Sequence, residues 1–167
     1  MDEIRLEGLD SIIKKIETME DVKAAEKGVK KACMLLEREA KIKAQNKGLK
    51  RIAQSITSEV NGLEGVVFTP LFYAPYVEFG TGIHAEGGKG RKEVPWVYVE
   101  GSASEDRATS KKVYTEAEAR QTQAYLKSKG LDAHITDGQE PKPFLRPALY
   151  ENEKRLVEII WESIKDA

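Results

Sequence analysis

The chain has 167 residues, enough for one domain to bury a core without staples, and its 40% hydrophobic and 33% charged residues exclude disorder throughout. Its 27 basic and 28 acidic residues leave a formal charge of -1, so any nucleic-acid contact must rest on a local patch and not on a general basic excess. Cys33 is the single cysteine, which rules out an intrachain disulfide or a multi-cysteine zinc site and fits a reducing compartment.

Met1 to Leu9 carries acids and lacks the uninterrupted apolar core of a secretory signal, and no run approaches the roughly 20 apolar residues of a membrane span, so we expect a soluble protein made in the cytoplasm. Leu6, Leu9, Ile12, Ile13, Ile16 and Met19 recur at three- and four-residue steps and predict a helix over Leu6 to Met19. A longer helix is predicted from Glu20 to Lys43, with Val22, Ala25, Val29, Ala32, Cys33, Leu36 and Ala40 on one face. Gly28 on that stripe either admits a close neighbour or costs about 1 kcal/mol relative to alanine. Asn46 and Gly48 can stop the helix.

From Ile52 to Val60, Ile52, Gln54, Ile56, Ser58 and Val60 fall on one face with small or polar residues on the other, ambiguous in the first turn and strand by Ser55. Asn61-Gly62 is a tight-turn pair, so Ser55 to Thr69 reads as a β-hairpin that Pro70 ends. Tyr73, Tyr76, Val77 and Phe79 then run into a flexible glycine loop, Gly80 to Gly90. Val94, Trp96, Val97 and Tyr98 favour a strand, and Val113 with Tyr114 suggests another. Thr115 with Glu118 resembles a capping box for a helix near 116–129, Gly130 stops it, and Ala133 to Thr136 reads as a short strand. Pro141, Pro143 and Pro147 frame an extended approach to a last helix striped by Leu149, Leu156, Val157, Ile160, Trp161 and Ile164. The expected fold is a single α+β domain over 1–167: an antiparallel sheet of about four strands covered by a long N-terminal helix and a C-terminal amphipathic helix, with an insertion at about 101–135.

Chemistry is harder to find. His84 and His134 stand apart from any metal-ligand spacing, and Cys33 lies on an apolar helix face where an inert thiol is the ordinary outcome. The glycines from Gly80 to Gly90 lack the glycine-lysine-serine/threonine ending of a phosphate loop. Glu78 has no second carboxylate or base placed beside it by the sequence, so it reads as a charge anchoring a turn. Two basic runs, within 41–51 (Lys41, Lys43, Lys47, Lys50, Arg51) and 89–92 (Lys89, Arg91, Lys92), keep a nucleic-acid-binding module as the alternative function.

Two motifs carry a resemblance. YAPYVEFGTG, Tyr73 to Gly82, followed by PFLRPAL, Pro143 to Leu149, resembles the neck, head-tail joining and tail-completion proteins of long-tailed double-stranded DNA bacteriophages. Tyr73, Tyr76, Glu78, Phe79, Gly80 and Gly82 match the first motif, Pro143, Phe144, Leu145 and Pro147 the second, and Trp96 the aromatic strand that follows the glycine loop. The order of elements is similar as well, apart from the stretch between about Gly101 and Ile135, which short members lack. The resemblance implies a structural virion protein, not an enzyme, without cofactor, catalytic residue or metal site. It also implies a homo-oligomeric ring of six or twelve copies that touches other neck, connector and tail proteins and, non-specifically, passing DNA, with no membrane partner. On this reading Lys89, Arg91 and Lys92 face the channel or a neighbouring subunit. The aromatics Tyr73, Tyr76 and Phe79 are expected to wedge a turn into the core while the tyrosine hydroxyls reach polar partners.

Overall fold

A computed structural model describes residues 19–99 and 114–166. The helix expected over Leu6 to Met19 lies outside the described residues up to its last position, as does Val113. The class is α+β: α1 (Met19–Asn46), α2 (Lys50–Ser55), β1 (Thr57–Asn61), β2 (Glu64–Phe68), α3 (Ala74–Phe79), β3 (Trp96–Val99), α4 (Glu116–Ser128), β4 (Ala133–Thr136) and α5 (Leu145–Lys165). The described residues fall into two compact units, 19–74 with 143–166, and 75–99 with 114–142.

In the first unit the apolar stripe of α1 packs on α5. Val29, Ala32 and Cys33 of α1 meet Leu156 and Ile160 of α5 in one buried cluster. Gly28 settles its two readings in favour of a close neighbour: a Cβ there would stand 2.9 Å from the Ile160 Cα and 3.2 Å from the Ser163 Cβ. Glu20 and Asp21 in the first turn of α1 and Lys43 in the last complement the helix dipole. The helix ends where expected. Gly48 takes a left-handed φ of 75°, its N–H donates to the Gln45 carbonyl (2.9 Å), and the Leu49 N–H donates to Ala44 (2.9 Å), the paired bonds of a Schellman stop.

The segment after this stop differs from the expected alternation, because Lys50–Ser55 is helical and the strand starts only at Thr57. Ile52 and Ile56 are spaced for one helical face as well as for one strand face, and their burial on the first unit chose the helix for Ile52. β1 and β2 pair antiparallel with Asn61 opposite Glu64, so the turn residues are Gly62 and Leu63, one later than expected. Positive φ is confined to Gly62 (57°), as in a hairpin turn that needs glycine only at its first central position. The hairpin lies on α1 through a gap in its side chains: a Cβ on Gly65 would overlap the Cys33 Sγ and crowd Val29.

In the second unit β3 pairs antiparallel with β4, Trp96 opposite Thr136 and Tyr98 opposite His134. Four described strands therefore make two two-stranded sheets in place of one sheet of about four. Alternation reveals which face of a strand is apolar but not which edge it joins. The helix of the expected insertion packs on this small sheet, with Ala119 against the interior and Gln123 Nε2 donating to the Ala133 carbonyl (2.9 Å). Its start is the capping box read from Thr115 and Glu118. It stops at Gly130 by the same paired bonds that end α1, Gly130 N–H to Lys127 and Leu131 N–H to Leu126.

Candidate functional site

The first motif is built by a short helix that the sequence had not separated from its loop. α3 turns Ala74, Val77 and Glu78 inward and leaves Tyr76 (57% exposed) and Phe79 (46%) outside. The expectation that both aromatics wedge into the core is thus corrected. Helical spacing places positions 74, 77 and 78 on one face, and 76 and 79 fall off it. Tyr73 is half-buried, with its ring edge-on to Phe72 at 5.5 Å. Glu78, read from the sequence as a charge anchoring a turn, is only 4% exposed and takes part in interactions within the fold.

Beyond α3 the backbone does the building. Gly80 (φ 76°) and Gly82 (φ 61°) are left-handed, a region that side chains with a Cβ disfavour. The Thr81 N–H donates to the Gln139 carbonyl (2.8 Å), the Gln139 N–H to the Thr81 hydroxyl (2.9 Å), the Ile83 N–H to Asp137 (3.1 Å), and the Lys142 N–H to Val77 (2.8 Å). The two segments run so close that a Cβ on Gly82 would overlap the Asp137 carbonyl oxygen, and one on Gly138 the Thr81 oxygen. The glycines of the motif are therefore needed for backbone contact with 137–142. This clasp was not foreseen; the Asp137-Gly138 pair, a turn signal in the sequence, was the available hint.

The loop that follows curls through two short 3-10 turns, Gly82–His84 and Glu86–Gly88. It returns at Gly90, where a Cβ would overlap the Gly82 carbonyl oxygen and crowd Ala85. Its three cations are not equivalent. Lys89 and Lys92 are exposed, whereas Arg91 is half-buried with its guanidinium 5.3 Å from the Trp96 ring centre, a cation–π contact that ties the loop to β3. The other basic run is partly neutralised: Lys41 pairs with Glu37 (2.5 Å) and Lys43 with Glu151 (2.5 Å), leaving Lys47, Lys50 and Arg51 exposed.

The second motif is an anchor at the head of α5. Phe144 is fully buried at the N-cap, Ala148 is buried one turn on, and Pro147 sits in the first helical turn, where its missing N–H removes no intrahelical bond. Pro143 and Leu145 flank Phe144 half-buried.

The candidates for chemistry are scattered. His84 is exposed in the loop, while His134 stacks on Tyr98 (5.3 Å between ring centres) and lies 3.1 Å from an Asp132 oxygen. Burial, and secondarily the Glu37 carboxylate, push the Cys33 thiol above its ordinary range, which disfavours the nucleophilic thiolate. Among the described residues no group of three or more His, Cys, Asp or Glu is placed to hold a metal ion, and no helix is long and apolar enough to cross a membrane.

Residues 10–80 match the family model described as "Bacteriophage HK97-gp10, putative tail-component", a stretch that holds α1, α2, the hairpin, α3 and the first motif up to Gly80. Over that stretch the chain is similar to a phage tail-component family, in line with the resemblance read from the first motif; the second motif lies outside the match. No curated protein and no solved structure matches the chain.

Proposed function

We propose that this chain is a structural virion protein of the neck or tail end of a long-tailed bacteriophage, synthesised in the host cytoplasm, where its copies close into a ring that joins the DNA-filled head to the tail. The observation that carries the reading is the tail-component match over 10–80, a region that ends in the glycine motif clasped to 137–142. The protein acts by shape and surface complementarity, as heterologous contacts between identical copies generate closed rings. It is not an enzyme on this reading: Glu78 and Cys33 are buried, and their roles are those of the fold.

Within the ring, the loop from Gly82 to Lys92 faces the channel or a neighbouring protein, presenting Lys89 and Lys92 while Arg91 braces the loop on Trp96. The test is a reconstruction of purified virions with the protein located by its mass and density. The expected result is a ring at the neck or tail end. Absence from the particle, together with a monomer at high concentration, overturns the proposal. Replacing Lys89 and Lys92 by alanine is expected to lower infectious yield or DNA retention, and an unchanged yield removes the role given to the loop.

A further inference from the structure

A groove runs along the first unit between α1 and the outer edge of β1, a hollow of about 540 Å³. Its floor on the α1 side is a helical stripe at positions 23, 27, 30 and 34: Lys23, Lys27 and Lys30, then Met34, which is 61% exposed. Ser58 and Val60 form the opposite wall, and Glu26 sits near the hairpin tip. None of the three lysines forms a hydrogen bond or ion pair among the described residues. Among the described residues β1 has a strand neighbour on one side only, so the groove follows an edge that no described strand pairs.

The same unit carries a second surface of opposite character. Gly65 and Val67 point from the hairpin toward α1 and its cluster, so the residues alternating with them, Glu59, Glu64 and Val66, form the outward face, beside Leu63 at the turn. Val66 and Leu63 are exposed apolar side chains, and Glu59 and Glu64 make no ion pair among the described residues. One face is thus apolar with unpaired acids and the other apolar with unpaired lysines, and the two point in different directions. That is the condition for a head-to-tail contact between identical copies.

We infer that the outward face of the β1–β2 hairpin of one copy docks into the α1–β1 groove of the next, with Glu59 and Glu64 meeting Lys23, Lys27 and Lys30 and with Val66 and Leu63 covering Met34 and Val60. The inference rests on the ring reading and names its subunit interface. A second copy suits the groove better than a DNA backbone, because phosphates complement lysines but leave Met34 and Val60 uncovered.

The experiment is sedimentation velocity of the full-length chain at low and high salt, for the wild type, K27E/K30E, E59K/E64K and the chain carrying all four changes. All four positions are exposed, and thermal melting monitors folding. The wild type is expected to assemble, each one-sided reversal to weaken assembly by about tenfold or more through like-charge contact, and the fourfold variant to recover it. A milder pair, K27Q/K30Q, is expected to fall between. If the wild type assembles and both one-sided reversals assemble equally well, the interface is wrong and the ring stands. If the wild type stays monomeric at its highest soluble concentration, ring and interface fall together. Unchanged assembly of K27E/K30E with lost retention of duplex DNA overturns the inference in favour of a phosphate-binding surface.

Discussion

In the first compact unit α1 and α5 meet through small and aliphatic side chains, Gly28, Val29, Ala32 and Cys33 against Leu156, Ile160 and Ser163. In the second, the closest approaches are between stretches of backbone, at Gly80, Gly82, Gly90 and Gly138. A side-chain interface tolerates exchange of one aliphatic for another of similar volume. A backbone clasp tolerates no Cβ at all where φ is positive and a carbonyl stands opposite. The two units should therefore fail under different substitutions, and this gives the contrast measurable content.

The largest effect is expected in the first unit. Leu156→Ala leaves a cavity in the α1–α5 cluster and is predicted to cost about 2–5 kcal/mol by denaturant unfolding, whereas Leu156→Met should cost under about 1.5 kcal/mol. A similar loss for both would mean that shape, and not buried volume, holds the helices.

In the second unit Gly82→Ala combines the left-handed φ with overlap on the Asp137 carbonyl, and should cost at least about 2 kcal/mol. Faster hydrogen exchange at Thr81, Ile83 and Gln139 would show that the clasp is what opened. A neutral Gly82→Ala breaks the comparison outright. Smaller again, Thr115→Ala removes the cap bond to the Glu118 N–H and should lower stability by about 1 kcal/mol, visible as fraying of α4.

The smallest effect, again in the first unit, is read by pH. The Glu37 carboxyl is held below its ordinary range, first by the hydrogen bond from Lys41 and then by that from Ser58. Its folded value is lower than its unfolded one, so the stability it contributes is present above the unfolded value and is lost as pH falls through the folded value. Glu37→Gln should flatten the acid limb of the pH–stability curve by a few tenths of a kcal/mol, since the pair is partly exposed. An acid limb unchanged in the variant removes Glu37 from this account.

Local physics was legible in the residues. The long helix, its glycine stop, the hairpin, the Thr115–Glu118 box, the strand at 133–136 and the last helix each follow from contacts a few residues apart, and each is present. Where a pattern served two structures, as at Ile52 and Ile56, periodicity had no means of choosing, and burial decided. The motif at 73–82 was found by its residue types, yet the exposure of Tyr76 and Phe79 was not, because a six-residue helix is too short to announce its inner face. The loop cations were read as a set, and the indole of Trp96 separated Arg91 from Lys89 and Lys92.

The sequence by itself determined the class, the glycine stops of α1 and α4, the capped start of α4 and the two motifs that resemble phage neck and tail proteins, since those depend on short-range hydrogen bonding and on side-chain spacing along one chain. Tertiary structure alone decided that four strands form two sheets and that Gly82 lies against residues far along the chain. It also decided that the lysines of α1 border an open groove beside a strand edge. These outcomes depend on which surfaces meet, and long-range pairing is set by the summed burial of the whole fold, which no window of residues contains.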